Sequence, residues 1–335
     1  MTLATRGLGA RGPQITTVGF GAWAIGGGGW AYGWGAQDDA ASVAALIHAV
    51  SRGVNWVDTA AVYGLGHSEE VVGRALCEIP AAERPYVFTK CGLLTDPTKP
   101  FEEPSRDLHP QSIRRECEAS LRRLGVETID LYQFHWPDQT GVRVEDSWGE
   151  MTRLADEGKV RWIGLSNFDI DLLRRCEAIR HVDSLQPPFS LIARRSADLL
   201  DRCRAQGTGV ICYSPMQSGL LTDNFTVDRL AAMDERDWRR GSPEFGEPRL
   251  SANLALRDAL RPVAERHRVP VAAVAIGWVL AWPGVTATIV GARSAQQVDG
   301  WMQASGLILE AADLDEIAAA IARTGAGDGS ARPTP

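Results

Sequence analysis

Residues 53–73 read GVNWVDTAAVYGLGHSEEVVG and contain, in order, a short strand, a loop and the start of a helix. The predicted strand covers residues 54–58 and ends in Asp58. Gly64 and Gly66 indicate a loop, and Ser68 followed by two acidic residues is typical of a helix start. The stretch therefore predicts one strand–loop–helix unit of an α/β fold.

The same unit recurs along most of the chain on both sides of this stretch. Strands are predicted at residues 16–20, 54–58, 86–90, 129–135, 160–166, 184–186, 209–213 and 286–290. Helices are predicted at residues 39–52, 68–76, 110–124, 146–157, 170–179 and 197–205. About eight alternations without a break in composition predict a (β/α)8 TIM barrel, a single domain over residues 1–323. A doubly wound open sheet is the alternative, because alternation alone does not show that a sheet closes.

Three segments depart from this alternation. Residues 221–249 are rich in Asp, Arg, Gly and Pro without clear periodicity, and they predict a long loop over the barrel mouth. Residues 324–335 contain no core-forming pattern and predict a disordered tail. Pro262 interrupts the helical stretch 252–268, where we expect a kink or a break.

Composition excludes several classes of partner. The 335 residues carry a formal net charge of −7, whereas nucleic-acid binding needs a concentrated basic face. No apolar run approaches the length of a membrane span, and the N-terminus lacks the apolar core of a signal peptide. The six cysteines are scattered without CxxC spacing, and the histidines show no metal-ligand spacing. We therefore expect a cytoplasmic protein without a metal site, acting on a small molecule.

Ionisable side chains stand at the ends of three predicted strands. Asp58, Lys90 and His135 end strands 54–58, 86–90 and 129–135, and Tyr63 follows Asp58 in the glycine-containing loop. Chemistry in a barrel occurs at this end of the strands. A lysine beside the tyrosine is expected to lower its pKa, so that the phenol can protonate an oxygen that becomes negative. For His135 alone, a hydrogen-bonded core residue is the competing interpretation.

Longer motifs around these residues resemble the aldo-keto reductase superfamily. Besides residues 53–73, they are FTKCG (88–92), SLRRLGVETIDLYQFHWPD (120–138), GKVRWIGLSNF (158–168), YSPMQSGLLT (213–222) and IVGARSAQQV (289–298). The matches keep their order and extend over the chain up to the tail. The resemblance implies a (β/α)8 barrel that binds extended NADPH at its C-terminal rim, and a catalytic tetrad of Asp58, Tyr63, Lys90 and His135.

The resemblance also implies the cofactor contacts. Trp23 is assigned to the cofactor side, and Tyr213 is expected to stack on the nicotinamide. The carboxamide would be held by Ser166, Asn167 and Gln186. The pyrophosphate path would be lined by Ser214, Met216, Gly219 and Leu220. The adenosine end would be bound by Gly291, Gln297 and Arg293, the last of which faces the 2′-phosphate.

Two groups of aromatic residues keep alternative interpretations. Trp301 stands where related sequences commonly carry an adenine-contacting Asn, and it either stacks on the adenine or packs in the core. Trp30, Tyr32 and Trp34 lie in the glycine-rich segment 26–35 and either line a substrate pocket with Trp23 and Trp136 or pack at the surface.

These features favour an NADPH-dependent oxidoreductase that reduces an aldehyde or ketone, or oxidises the alcohol in reverse. A sugar or polyol dehydrogenase is the alternative within the same superfamily. The alternative from another class is a non-catalytic NADPH-sensing regulatory subunit, similar to potassium-channel β subunits. The presence of all four tetrad residues favours an enzyme.

Overall fold

A closed barrel of eight parallel strands forms the centre of the protein. The computed structural model describes residues 2–333. The order around the barrel is β3-β4-β5-β8-β9-β10-β11-β12, and β12 pairs with β3 to close it, which excludes the open sheet. The strands are β1 (Thr5–Gly7), β2 (Gln14–Thr16), β3 (Val18–Gly21), β4 (Trp56–Asp58), β5 (Tyr86–Cys91), β6 (Leu93–Leu94), β7 (Ser105–Arg106), β8 (Ile129–Phe134), β9 (Val160–Ser166), β10 (Ser184–Gln186), β11 (Gly209–Cys212) and β12 (Ala287–Gly291). The (β/α)8 barrel predicted from the sequence is confirmed.

Helices connect the barrel strands. They are α1 (Asp39–Ser51), α2 (His67–Glu78), α3 (Pro110–Leu124), α4 (Val144–Asp156), α5 (Ile170–Glu177), α6 (Ala197–Gln206), α7 (Val227–Ala231), α8 (Arg249–Ala259), α9 (Arg261–His267), α10 (Val271–Leu280), α11 (Ala295–Met302) and α12 (Ala311–Thr324). Pro262 lies in the first turn of α9, and the break before it confirms the interruption expected there. α3 begins with Pro110 in its first turn and is capped at the other end by Gly125 (φ +65°).

The N-terminal end of the barrel is closed by a hairpin and filled with large side chains. β1 and β2 pair antiparallel, and Leu8 and Ile15 pack with Trp56 and Phe88 in one buried cluster. A Cβ atom on Gly19 would lie 2.1 Å from the Trp56 ring, so only glycine fits beside it. With this end filled, the opposite, C-terminal end is left for a ligand.

One predicted strand differs from the structure. The predicted strand 16–20 is split, because Gln14–Thr16 pairs with β1 in the hairpin and only Val18–Gly21 joins the barrel. The sequence pattern is continuous across the two, since Ile15 and Thr16 of β2 are buried like all of β3.

The tail that was predicted to be disordered makes contacts with the rest of the protein within the described residues. Asp328 and Arg194 share a backbone hydrogen bond of 3.1 Å, and the Arg194 side chain donates to the Gly329 carbonyl at 3.2 Å. A Cβ on Gly327 would lie 2.0 Å from the Ile192 carbonyl oxygen. The glycines allow the tail to lie directly against another backbone segment, which composition alone does not reveal. Residues 334 and 335 of the predicted tail lie outside the described residues.

No helix within residues 2–333 is long and apolar enough to cross a membrane. Nor does this part of the chain hold a cluster of three or more His, Cys, Asp or Glu side chains arranged for a metal ion.

Candidate active site

A cavity of about 1110 Å³ opens at the C-terminal end of the barrel strands. Drug-sized ligands typically occupy about 300–1,000 Å³, so this cavity has room for a dinucleotide with a second small molecule. Asp58, Tyr63 and His135 line it. Lys90 is fully buried and contacts Asp58. The structure thus brings the four sequence-predicted catalytic residues together.

A buried ion pair lies at the cavity floor. The Lys90 Nζ donates to Asp58 Oδ1 at 2.5 Å and to the Thr59 carbonyl at 2.8 Å. The side chains of Lys90 and Asp58 are 0% and 3% exposed. Burial, which penalises charge, raises the pKa of Asp58 although Lys90 opposes this, and burial likewise lowers the pKa of Lys90. Such a pair is stable only when its remaining polar atoms are also satisfied.

Two glutamines supply the remaining donors to Asp58. Gln186 Nε2 donates to Asp58 Oδ2 at 2.9 Å, and Gln133 Nε2 lies 3.5 Å from the same oxygen. The side-chain nitrogen of Gln186, which was expected to bind the nicotinamide, instead donates to the Asp58 carboxylate. Gln133 was missed by the sequence analysis. Its signal is its position two residues before His135, on the same face of the strand.

Tyr63 is held among other rings directly above the ion pair. Its ring centroid lies 5.2 Å from Lys90 Nζ, 5.6 Å from the His135 ring and 6.1 Å from the Trp23 ring. Gly64 (φ +61°) allows the next peptide to approach Gly26, because a Cβ there would lie 2.1 Å from the Gly26 carbonyl oxygen. This contact fixes the loop that carries Tyr63.

The acidity of Tyr63 is opposite to the sequence expectation. Burial and, next, the Asp58 carboxylate raise the pKa of Tyr63 well above its usual value of 10. The expected net lowering is wrong, because burial and the Asp58 carboxylate raise the pKa of Tyr63 instead. Tyr63 is therefore a neutral phenol at physiological pH and can donate a proton.

His135 is neutral as well. Burial and the nearby Lys90 ammonium lower the pKa of His135 well below 6.5. Its carbonyl accepts a hydrogen bond from Asn167 Nδ2 at 2.9 Å. The neutral imidazole carries one N–H that can donate to a substrate oxygen without adding positive charge beside Lys90.

Next to His135, the predicted nicotinamide residues form a hydrogen-bonded network. Ser166 Oγ donates to the Gln186 carbonyl at 2.9 Å, and Tyr213 Oη donates to Asn167 Oδ1 at 2.7 Å. Asn167 has φ +62°, an uncommon value outside glycine that these bonds stabilise. All four residues line the cavity, so they form a pre-ordered polar wall.

Another part of the cavity carries three arginines, of which Arg239 pairs with Asp237. Arg229, Arg239 and Arg293 line the cavity, as do the predicted cofactor residues Ser214, Met216, Gly219, Gly291 and Gln297. Leu220 differs from the expectation, because it is fully buried in the main core and does not border the cavity.

Arg293 forms hydrogen bonds with the end of the glycine-rich segment 26–35 and with the two residues that follow it. Its guanidinium donates to Gln37 Oε1 at 2.5 Å and to the carbonyls of Trp34, at 3.2 Å, and Ala36. A phosphate that binds the Arg293 guanidinium would take the place of these oxygen acceptors.

The structure also locates the aromatic residues that kept two interpretations. Trp301 is 2% exposed and packs in the main core, yet it borders the cavity. Trp30, Tyr32, Trp34, Trp23 and Trp136 all line the cavity. The aromatic residues of the glycine-rich segment thus contribute to the pocket wall.

The segment 221–249 lies over the cavity, as predicted for a long loop at the barrel mouth. It contains α7 and short 3₁₀ turns at Trp238–Gly241 and Pro243–Phe245. Trp238 stacks on Trp23 with ring centroids 5.3 Å apart, and Phe225 and Phe245 are buried. Isolated aromatic residues anchor the segment, and these do not produce a periodic sequence pattern.

The chain is similar in sequence to known proteins over most of its length. Residues 17–322 match the Aldo/keto reductase family. The chain belongs to this family. Aldo-keto reductase YhdN of Bacillus subtilis (strain 168) is 32% identical over 308 residues, which cover 91% of this chain and 90% of that protein. The NADH-specific methylglyoxal reductase of Escherichia coli (strain K12) is 30% identical over 330 residues, covering 94% of this chain and 98% of that protein.

Solved structures of the aldo/keto reductase family share the fold. A glycerol dehydrogenase from Gluconobacter oxydans superimposes with a TM-score of 0.86 and 35% identity, covering 99% of this chain and 98% of that one. An aldo-keto reductase from Bacillus halodurans gives 0.78 at 23% identity, covering 95% and 96%, and shows the fold alone. This aldo/keto reductase is accordingly an oxidoreductase of the carbonyl-reducing type.

Proposed function

We propose that this aldo/keto reductase uses NADPH to reduce an aldehyde or ketone, with Tyr63 as the proton donor. The observation that carries the proposal is the neutral Tyr63 phenol, held above the Asp58–Lys90 pair and beside a neutral His135. Proton donation to a developing alkoxide is the chemistry that this arrangement supports.

The residues around the cavity fit a phosphorylated nicotinamide dinucleotide. Asn167 and Ser166 present amide and hydroxyl groups that suit a carboxamide, and Tyr213 offers a ring beside them. Arg229 and Arg293, which also line the cavity, suit phosphate groups. When bound, the cofactor supplies a hydride to the carbonyl carbon.

The protein's own residues then act on the carbonyl oxygen. Tyr63 Oη and the His135 N–H donate hydrogen bonds to it, which polarises the carbonyl and orients it. As negative charge develops on the oxygen, Tyr63 transfers its proton, and the phenolate is stabilised by the Lys90 ammonium. Asp58 holds that ammonium in place.

The protonation state of Tyr63 favours the reductive direction. Because burial and Asp58 raise the pKa of Tyr63 well above 10, the acid form predominates at neutral pH. Oxidation of an alcohol requires the phenolate and should therefore improve as the pH rises. Polyol oxidation is the second candidate, and it is favoured by the likeness to the glycerol dehydrogenase.

The test is NADPH oxidation, followed by absorbance, with a panel of aldehydes and ketones. Turnover that depends on the carbonyl compound supports the proposal. Tight NADPH binding without turnover of any aldehyde, ketone or alcohol would contradict it and favour a regulatory subunit.

Cofactor choice is expected to depend on Arg293. Arg293→Ala removes the cation proposed to face the 2′-phosphate, so NADPH affinity should fall about tenfold or more while NADH affinity changes much less. Titration of both cofactors by protein fluorescence measures the two constants. Arg161→Ala is a suitable control, because Arg161 is exposed and pairs with Asp130 outside the cavity. Equal loss of both cofactors, or a wild type that prefers NADH as the E. coli relative's name indicates for that protein, would contradict this assignment.

Segment 221–249 is expected to become protected when NADPH binds. Several of its residues line the cavity, whereas most of its other side chains are exposed, so the cofactor adds contacts to a weakly packed region. Hydrogen exchange should slow in this segment with saturating NADPH and change little in β8 and β9. The idea that the segment closes over the cofactor is wrong if exchange is the same with and without NADPH.

A further inference from the structure

The cavity wall includes Arg106, which forms no salt bridge within residues 2–333. Arg106 lies in β7, whose register places it opposite Leu93, and its carbonyl accepts from the Gln139 N–H at 3.2 Å. Its guanidinium stacks over the Trp136 ring at 4.5 Å. The backbone and the ring thus fix Arg106, and its donors remain free for a ligand.

A carboxylate and a phenol border the same part of the cavity. Glu103 and Tyr32 both line it and are both exposed to it. Burial and, next, the Glu103 carboxylate raise the pKa of Tyr32, while the Arg106 guanidinium opposes this, as expected for neighbouring groups. Ala31 donates to the Pro100 carbonyl at 2.9 Å and so ties together the loops that carry Tyr32 and Glu103.

We propose that Glu103, Arg106 and Tyr32 form a subsite for the hydroxyl groups of the substrate, which is a neutral hydroxylated aldehyde or ketone. This inference rests on the proposed function and specifies its substrate class. An arginine only donates hydrogen bonds, a carboxylate only accepts them, and a phenol does both. A hydroxyl group both donates and accepts, so neighbouring hydroxyls can satisfy all three side chains at once.

Charge argues against an anionic substrate at this subsite. Glu103 and Arg106 carry opposite charges, so the subsite is balanced. A phosphate or carboxylate beside Arg106 would also meet the Glu103 carboxylate. A plain alkyl chain would leave both charged groups without partners, which costs binding energy. The rings of Trp30 and Trp136 can cover the C–H faces of the hydroxylated chain.

The test compares three four-carbon aldehydes: D-erythrose, butanal and D-erythrose 4-phosphate. The measured quantity is kcat/KM with NADPH for the wild type and for Glu103→Gln, Arg106→Gln and the double variant. Comparing the erythrose-to-butanal ratio between variants cancels the different hydration of the two aldehydes. In each single variant this ratio should fall about tenfold or more, because a hydrogen bond to a charged group is lost. The wild type should use the phosphate ester less well than erythrose.

Glu102→Gln is the matched control. Glu102 is exposed, pairs with Lys99 and does not border the cavity, so its replacement should leave the ratio at the wild-type value. An unchanged ratio in Glu103→Gln and Arg106→Gln overturns the subsite. A wild type that prefers the phosphate ester, with the preference lost in Arg106→Gln, also overturns it and identifies an anion site. A wild type that reduces none of the three aldehydes contradicts the proposed function itself and the subsite with it.

Discussion

Tyr63→Phe is expected to lower kcat by about 10²-fold or more while leaving the NADPH dissociation constant nearly unchanged. The substitution removes only the phenolic proton and keeps the ring that contacts Trp23 and His135. Steady-state NADPH oxidation with an aldehyde measures kcat, and a fluorescence titration measures cofactor affinity.

Tyr86→Phe is the control for this prediction. Tyr86 lies at the start of β5 and packs against Trp162, away from the cavity. Its variant should keep the wild-type kcat. Wild-type turnover by Tyr63→Phe would show that another group protonates the substrate.

The second large effect is expected at Lys90, on both stability and rate. Lys90→Met leaves the Asp58 carboxylate buried without its cation, which should reduce the free energy of unfolding by about 3–5 kcal/mol. The same change should lower kcat by about 10²-fold or more, because the Tyr63 phenolate would form beside Asp58 without a compensating charge. Urea unfolding and the aldehyde assay measure the two effects.

The double variant Asp58→Asn/Lys90→Met separates stability from catalysis. Removing both charges should recover much of the lost unfolding free energy, since no unpaired charge stays buried. Activity should remain low, because the cation beside Tyr63 is still missing. Recovery of activity together with stability would show that Lys90 has only a structural role.

The arrangement of the proposed catalytic residues can be predicted from the sequence because it follows from topology. Asp58, Lys90 and His135 stand at the ends of strands that are neighbours in the barrel, where β4 pairs with β5 and β5 with β8. Alternation of strands and helices predicts that these ends meet at one rim. Residue type and strand position together are therefore sufficient.

Features that depend on burial and long-range contacts cannot be read in this way. The pKa of Tyr63 depends on its desolvation and on Asp58, which pairs with Lys90 instead of leaving that charge free. The partners of Arg293 are mostly backbone carbonyls of a distant segment, and carbonyls leave no trace in a sequence pattern. The contact between Arg194 and the tail likewise needs the folded chain.

Transfer of deuterium tests the central proposal most directly. NADPH carrying two deuterium atoms at C4 of the nicotinamide is incubated with the enzyme and an unlabelled aldehyde, and the alcohol is analysed by mass spectrometry. The proposed function predicts one deuterium atom in each alcohol molecule, on the former carbonyl carbon. Alcohol without deuterium, or bound NADPH with no alcohol formed from any carbonyl substrate, would contradict it.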